Sequence, residues 1–308
     1  MHRLVIDTDP GVDDAHAIML AASHPAARIE AITTVAGNAA IDKTTANACK
    51  ILDALDVECP VYQGAASALL GPTKPAGYVH GTDGLGDAGL APSKRSIESD
   101  HAVQALIRLG HQSPGELSLV ALGPLTNVAL AIRLEPKLPQ LYKNLVSMGG
   151  AIRGMGNTTN PTAEFNVLND PEAAHIVYSS WTEPLLVPWE TVLEHSLEGQ
   201  ELMSFLAVES PLADFFRAIS AKMLAFFEEE HGRPILLAAD ALAVAAALEP
   251  DSIEKIERRH VQVALGEGHT RGQTTVDWFK ITGGEPNVNL MLQFDHDRWR
   301  QLLMNSVS

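Results

Sequence analysis

Cysteine is almost absent from this chain of 308 residues, which holds only Cys49 and Cys59 and no CxxC motif. Two thiols cannot build a disulfide framework, so the sequence predicts reduced, structural cysteines. No stretch approaches the roughly 20 apolar residues that cross a bilayer, and the first apolar run is too short for a signal peptide. We therefore expect a cytoplasmic protein that has no membrane partner.

Basic residues are also scarce, since 22 lysines and arginines stand against 38 aspartates and glutamates and the formal net charge is −16. Binding to nucleic acid or to anionic membranes needs a basic surface, so this balance argues against both partners. It is compatible with a pocket that concentrates cations, and equally with an ordinary acidic surface.

Short apolar runs alternate with helical segments along the chain. Strands are predicted over 3–7, 28–35, 117–122, 145–148 and 185–187, and helices over 12–23, 41–55, 125–132, 171–178, 198–230 and 238–248. This order predicts an α/β fold with a mainly parallel, Rossmann-like open sheet and helices on both faces. No repeat or linker interrupts the chain, so we expect one domain over residues 1–308.

Two regions predict irregular structure. Residues 64–96 are rich in Gly, Pro, Ala and Ser, and we interpret them as a long loop of the kind that covers binding sites. Residues 266–286 form a second irregular region with some strand character. Asp170 is a predicted N-cap, and Pro211 is a predicted helix start.

The most informative segment is 7–15, DTDPGVDDA, which places four carboxylates at a strand-to-helix turn. A helix dipole accommodates one or two acids in a first turn. Four carboxylates repel one another, and a hard divalent cation is their simplest partner because it prefers oxygen ligands. Open α/β sheets bind ligands at the carboxyl ends of their strands, so we predict a metal site here, with an exposed acidic cap as the alternative.

This segment resembles the N-terminal signature of the inosine–uridine-preferring nucleoside hydrolases. Four further segments are similar to that family in order and spacing: AGN at 36–38, ALGPLTN at 121–127, MGG at 148–150, and AEFN at 163–166 followed by DPEAA at 170–174. The resemblance extends from residue 4 to about residue 250. It implies the nucleoside hydrolase fold and an N-ribohydrolase of nucleoside salvage, which releases free base and ribose from a ribonucleoside.

The resemblance also implies a calcium ion held by Asp9, Asp14, Asp240 and the backbone carbonyl of Leu122. An oxygen-only ligand set suits Ca²⁺ better than zinc. Asp9 matches the general base of the family, which takes a proton from a water activated by the metal. Asp240 can alternatively be interpreted as the N-cap of the helix that it opens, and the two roles are compatible.

Cleavage of an N-glycosidic bond places positive charge on the ribose and negative charge on the departing base. The resemblance assigns substrate contacts to Asp13, Asn38, Met148, Asn157, Glu164, Asn166 and Asp240. Glu164 and Asn166 face one side if their segment is extended. Asn160 can take the place of Asn157, because the stretch around them is longer than the family pattern. His80 matches a loop over the pocket, and a solvated loop histidine is the alternative.

Two positions depart from the family pattern. Ala239 stands where purine- and pyrimidine-cleaving members commonly carry a histidine, a candidate acid for the leaving base. The stretch PWET at 188–191 stands where the family often has a small residue and an aspartate, and Trp189 can stack on a base or belong to the core. Four more residues are candidates for the base pocket: Phe226, Phe227, His231 and Trp278. Base preference therefore stays open, and we take pyrimidines as the working hypothesis.

Two other functions compete with hydrolysis. A haloacid-dehalogenase-like phosphatase also carries an acidic turn after its first strand, but Pro10 and the lack of a suitable lysine argue against it. A non-catalytic nucleoside or ribose sensor on the same scaffold fits Ala239, but it does not need Asp9. Family members resembling this chain are dimers or tetramers, so we expect a homodimer or homotetramer.

Overall fold

The computed structural model describes residues 1–308 and contains twelve strands and thirteen α-helices. The strands are β1 (His2–Thr8), β2 (Ala27–Thr34), β3 (Val61–Gln63), β4 (Leu117–Ala121), β5 (Asn144–Met148), β6 (Leu185–Val187), β7 (Leu197–Glu198), β8 (Ile235–Leu236), β9 (Ile253–Arg259), β10 (Val261–Val263), β11 (Thr274–Val276) and β12 (Val288–Phe294).

The helices are α1 (Val12–Ser23), α2 (Ile41–Leu55), α3 (Gly77–His80), α4 (Ala102–Gln112), α5 (Thr126–Leu134), α6 (Leu138–Leu141), α7 (Phe165–Asn169), α8 (Pro171–Ser180), α9 (Trp189–Glu194), α10 (Gly199–Leu206), α11 (Pro211–His231), α12 (Ala239–Leu248) and α13 (His296–Ser306). No helix is long and apolar enough to cross a membrane.

Eight strands form one sheet in the order β3-β2-β1-β4-β5-β6-β12-β9. Every neighbouring pair is parallel except β12 and β9, which are antiparallel at one edge. Two small antiparallel pairs, β10 with β11 and β7 with β8, lie outside it. The predicted mainly parallel α/β sheet is confirmed.

The core lies on both faces of this sheet. Leu4 and Ile6 of β1 belong to one buried cluster, and Val5 belongs to the other. Successive side chains of a strand point to opposite faces, so this alternation shows that helices cover both sides, as predicted. A strand covered on both faces reads as a continuous apolar run, as LVI does here.

The first helix packs against α12, which is buried along its whole length. Its sequence ADALAVAAAL is apolar on all sides, the pattern of a fully buried helix. Small residues on α12 let the two helix axes approach closely. As a result, the N-termini of α1 and α12 lie together at the carboxyl end of the sheet, and Asp14 and Asp240 belong to their first turns.

The predicted helical run over 198–230 consists of two helices, α10 and α11, with a break over residues 207–210. The Ser210 side chain accepts a hydrogen bond from the amide of Ala213 and caps α11. Pro211 has no amide proton and therefore begins a helix without continuing the one before it, as predicted. The Asp170 cap is also confirmed, since its carboxylate accepts from Ala173.

The predicted loop over 64–96 contains the short helix α3, and the irregular region over 266–286 contains β11. Other elements were not predicted at all, among them α4, β9, β12 and α13. In β9, IEKIERR, most side chains are at least partly exposed. An edge strand of this kind carries no buried apolar run for a sequence pattern to detect.

Candidate active site

Three carboxylates meet where α1 and α12 begin. Asp13, Asp14 and Asp240 each offer an oxygen, and these oxygens all lie within 4.8 Å of one another. The interpretation of Asp240 as an N-cap is wrong, because Ala238 is the N-cap of α12 and no side chain caps it. The carboxylate is therefore free for another role at this point.

Asp14 is the most firmly held member of this acidic cluster. Its Oδ2 accepts hydrogen bonds from the amide of Gly11 at 2.8 Å and from Nδ2 of Asn38 at 3.0 Å. Its Oδ1 accepts from the hydroxyl of Thr8 and from the amide of Asp9. The turn predicted between β1 and α1 thus folds around this one side chain.

Asp9 lies beside the acidic cluster and is fully buried, although it is not one of the three residues with converging oxygens. Its Oδ2 accepts from the amide of Asn38 at 2.7 Å, and its Oδ1 has no hydrogen-bond partner. A Cβ on Gly37 would lie 2.0 Å from Oδ2, and one on Gly123 would lie 2.4 Å from Oδ1. Only glycine leaves room for this carboxylate.

Burial sets the electrostatics of these acids. It raises the pKa of Asp13 and of Asp14 to about 6, and the charge of Asp13 adds to the rise at Asp14. Burial, followed by the charge of Asp14, raises the pKa of Asp9 well above its usual range. Burial also raises the pKa of Asp240 well above its usual range, with the charge of Asp13 as the next largest cause. The cluster therefore holds more negative charge than its surroundings balance.

These observations fit a hard divalent cation. The donors are carboxylate oxygens, one buried oxygen of Asp9 is unpartnered, and no lysine or arginine lines the adjoining cavity. Calcium-type sites use such oxygen donors. The carbonyl of Leu122, another predicted ligand, faces this region and accepts a hydrogen bond of 2.7 Å from Nδ2 of Asn166.

A cavity opens above the acidic cluster. All nine predicted substrate contacts line it: Asp13, Asn38, His80, Met148, Asn157, Glu164, Asn166, Trp189 and Asp240. They come from the carboxyl ends of β2, β5 and β6, from the starts of α1, α7, α9 and α12, and from loops between them. Since β2 and β4 flank β1 on opposite sides, the cavity lies at a topological switch point of the sheet.

Glu164 and Asn166 share the cavity for a different reason from the one predicted. Their segment is not extended: Glu164 is the N-cap of α7, and Asn166 lies in the first turn. Each oxygen of Glu164 accepts backbone amides, including Gly150 at 2.8 Å and Asn166 at 2.8 Å. Burial raises the pKa of Glu164 to about 7, against the effect of these hydrogen bonds.

The structure places Asn157, and not Asn160, in the cavity lining. Asn157 accepts a hydrogen bond of 2.9 Å from the amide of Phe165. Asn160 turns away and donates to the carbonyl of Arg271 at 2.7 Å. The side-chain amide of Asn160 thus joins two loops and does not face the cavity. The local sequence alone cannot show this difference between Asn157 and Asn160.

His80 is buried in the lining and is not a solvated loop residue. Its Nδ1 accepts a hydrogen bond of 3.2 Å from the amide of Val12 and lies 3.8 Å from Asp13. Burial lowers the pKa of His80 to about 4, so its ring is neutral near pH 7. The helix α3 thus closes over the acidic cluster.

Aromatic side chains form the other end of the cavity. Trp189, Phe226 and Phe227 line it together with Tyr78, which the sequence did not single out. His231 lines an outer extension of the same cavity. Trp278 lies elsewhere, with the Arg259 guanidinium 5.8 Å from its ring. Trp189 also packs in the main core, so the core interpretation is confirmed, and stacking on a base stays a prediction.

Sequence reasoning missed the role of Glu190, which is buried on α9 beside Trp189. Its carboxylate accepts the amides of Ile152 at 2.9 Å and Arg153 at 2.6 Å, in the loop that leads to Asn157. The only sequence feature that pointed to Glu190 was its departure from the family pattern, in which an aspartate is frequent in this stretch.

Comparisons with known proteins find relatives along nearly the whole chain. A family model described as inosine-uridine preferring nucleoside hydrolase matches residues 4–301. The pyrimidine-specific ribonucleoside hydrolase RihB of Escherichia coli O157:H7 is 33% identical over 295 residues, which are 96% of this chain and 93% of that protein.

Solved structures resemble the chain over its whole length. The plant nucleoside hydrolase PpNRh1 has a TM-score of 0.92 and 31% identity, covering 99% of this chain and 98% of that one. An inosine-guanosine nucleoside hydrolase has a TM-score of 0.91 and 33% identity, covering 100% and 99%.

Fold and comparisons together define an enzyme that hydrolyses the N-glycosidic bond of ribonucleosides. The chain belongs to the inosine-uridine preferring nucleoside hydrolase family. Of the functions that the sequence left open, the comparisons support the hydrolase.

Proposed function

We propose that this enzyme is a calcium-dependent ribonucleoside hydrolase with a preference for pyrimidine bases. The observation that carries the calcium dependence is the acidic cluster at the floor of the cavity, whose carboxylates no lysine or arginine of the lining balances. Asp14 and Asp240 of this cluster would hold the cation together with Asp9 and the backbone carbonyl of Leu122, and the carboxylate of Asp13 converges on the same point. A bound Ca²⁺ supplies positive charge that lowers the pKa of a neighbouring water.

Asp9 is the proposed general base. Its unpartnered Oδ1 is the free oxygen of the carboxylate, and the amide of Asn38 fixes the other oxygen at 2.7 Å. A carboxylate held in this way is oriented to accept the proton of the attacking water.

Asn38, Asn157, Glu164 and Asn166 are the proposed ribose contacts. Hydrogen bonds to the backbone hold two of them in place, because Glu164 caps α7 and Asn157 accepts from the amide of Phe165. Held in one geometry, such side chains orient the anomeric carbon toward Asp9 without a further ordering cost.

The base preference has weaker support, which comes from the comparisons. RihB, at 33% identity, is described as pyrimidine-specific, while an equally similar solved structure is described as an inosine-guanosine hydrolase. We therefore propose a preference for pyrimidine ribonucleosides, and faster cleavage of purine ribonucleosides is the result that would replace this proposal.

The experiment is the release of free ribose from a panel of ribonucleosides, with Ca²⁺ and with a chelator, followed as reducing sugar. The proposal predicts calcium-dependent release that is fastest with uridine or cytidine. Release that is fastest with inosine or guanosine would correct the base preference only. Tight nucleoside binding without ribose release would contradict the catalytic assignment.

We further propose that the enzyme acts in nucleoside salvage in the cytoplasm as a homodimer or homotetramer. The acidic composition, with a net charge of −16, supports a small-molecule substrate and no nucleic-acid partner. Light scattering of the purified protein measures the oligomeric state, and a monomer at micromolar concentration would contradict this part.

A further inference from the structure

The end of the cavity away from the acidic cluster is a wall of aromatic rings. We define the aromatic wall as Tyr78, Trp189, Phe226 and Phe227. The rings of Tyr78 and Phe226 meet edge to face, with 5.5 Å between their centroids. Phe226 and Phe227 are also 5.5 Å apart and inclined at 60°. Rings in several orientations therefore surround one small space.

This end of the cavity is poor in groups that can protonate a leaving base. Position 239 is a buried alanine, and the lining has no lysine or arginine. His80 lines the cavity, but its Nδ1 accepts a hydrogen bond from the amide of Val12, so the ring is a neutral imidazole whose remaining N–H is a weak acid. His231 lies only in the outer extension. The hydroxyl of Tyr78 is the remaining candidate, and a phenol, with a usual pKa of about 10, is a weak acid.

The missing acid matters differently for two kinds of leaving group. When the bond between C1′ and nitrogen breaks, both electrons go to the nitrogen. A neutral base then departs as an anion and needs a proton. A base that is cationic in the nucleoside departs neutral and needs none. General acid catalysis contributes about 100- to 10,000-fold, so its absence penalises only the first kind.

We propose that the preferred substrates of this enzyme are ribosides whose base carries a positive charge, such as N-ribosylpyridinium and N-alkylated nucleosides. This inference rests on the proposed hydrolase function and names its substrate class. Water supplies the oxygen that bonds to C1′, one water proton goes to Asp9 and then to solvent, and the base leaves as a neutral molecule. The products are ribose, the neutral base and one proton, so charge and atoms balance.

The aromatic wall suits such a cation. A positive charge over the face of Trp or Tyr is attracted by the ring quadrupole, with a strength of about 0.5 to 2 kcal/mol. The carboxylate of Glu164, which is not one of the proposed metal ligands, lines the same cavity, and Glu230 lines its outer extension. No lysine or arginine of the lining opposes them, so a cationic base meets attraction from the aromatic wall and from these two carboxylates.

The test compares matched pairs that differ by one methyl group and one charge: 3-methylcytidine with cytidine, and 7-methylguanosine with guanosine. Base size nearly cancels within each pair. With calcium-loaded enzyme at pH 7, we expect kcat/KM for ribose release to be about 100-fold higher for the cationic member. A ratio below about 10 in both pairs would overturn the inference and leave the hydrolase function intact. No release from any of the four would overturn both.

A binding measurement tests the aromatic wall without turnover. By calorimetry, 1-methylnicotinamide, a cation, should bind at least tenfold more tightly than neutral nicotinamide. The variant Phe226→Leu should reduce this ratio, because Phe226 is only partly buried and the fold tolerates the change. The matched control is Phe279→Leu, at a phenylalanine that is exposed and outside the cavity. Equal binding of the two ligands to the unmodified enzyme would contradict recognition of the charge.

Discussion

At the scale of single residues, the site depends on how closely backbone approaches Asp9. The α-carbons of Gly37 and Gly123 are so near that a Cβ on either would meet the Asp9 carboxylate within van der Waals distance. A larger residue at either position would displace the Asp9 side chain, because that side chain is buried and has no free space to accommodate an added Cβ. The geometry of the base is thus set by two glycines that carry no chemistry.

We therefore expect Gly123→Ala to lower kcat/KM for ribose release by about 100-fold, the usual cost of misplacing a reacting group by about 1 Å. Overpacking of a buried site should cost about 1 to 3 kcal/mol of folding free energy, which thermal unfolding measures. Gly266→Ala is the control, since nothing lies within 4 Å of an added Cβ there. Full activity in the Gly123 variant would show that Asp9 does not need this position.

Asp9→Asn removes the proposed base and keeps the shape of the side chain. We expect kcat to fall by about 100- to 10,000-fold, because an amide cannot accept the proton of water. The exposed Asp42→Asn change is the control for loss of one negative charge. Ribose release from the Asp9 variant within a factor of 10 of the unmodified enzyme would exclude Asp9 as the base.

Site residues were predictable where a local motif carried them. Asp9, Asp13 and Asp14 lie in one turn, and the family resemblance added Asp240 and the asparagines. Tyr78 and Glu190 were not predicted. Tyr78 lies on the short helix α3 inside a stretch that the sequence predicts as a loop, and Glu190 acts through hydrogen bonds to backbone amides. Choosing between Asn157 and Asn160 needed the path of the chain, because either amide satisfies the same local sequence.

At the scale of elements, β1, β2, β4, β5 and β6 were predicted because buried parallel strands are apolar runs, whereas β3 and α4 were missed. β1, β4 and β5 are of this kind, and their observed ends differ from the predicted ones by at most two residues. After α12 the pattern weakens. β9 is an edge strand with exposed side chains, and α13 begins with charged residues, so neither carries a strong apolar period.

The helix α9 also holds the loop that carries Asn157. We expect Glu190→Gln to raise KM about tenfold, equivalent to about 1.4 kcal/mol, with a smaller change in kcat, because the loop loses its charged acceptor. A merely structural role would lower stability without this split between KM and kcat. Steady-state kinetics with the best ribonucleoside measures it.

Glu194→Gln is the matched control on the same helix. Glu194 contacts Arg153 of that loop at 3.5 Å, but both side chains are more than half exposed. Exposed ion pairs contribute about 0 to 1 kcal/mol, so this variant should behave like the unmodified enzyme. A rise in KM as large as that of the Glu190 variant would show that the buried hydrogen bonds are not the cause.

At the scale of the whole molecule, the acidic cluster makes folding depend on pH and on cations. In the absence of a cation, burial raises the folded pKa of Asp13 and Asp14 to about 6, above the roughly 3.9 of an unfolded aspartate. The folded state then binds more protons than the unfolded state between these values. This contribution to stability is complete below about pH 4 and is lost as the pH rises through 6.

The ionisation of Asp13 and Asp14 should therefore make the cation-free protein unfold at a lower temperature at pH 8 than at pH 5. Calcium should restore more stability at pH 8, because it binds the ionised carboxylates. Thermal unfolding with Ca²⁺ and with a chelator at both pH values measures this difference. An equal calcium effect at pH 5 and pH 8 would mean that the ion binds away from the acidic cluster.

The most direct measurement is a titration of metal-free enzyme with Ca²⁺ in which bound ion and ribose release are followed together. The account predicts one ion per chain, with activity rising in proportion to occupancy. It also predicts that Asp240→Asn loses both binding and activity. Full ribose release from enzyme kept in excess chelator would contradict the central claim that a cation on these carboxylates drives the reaction.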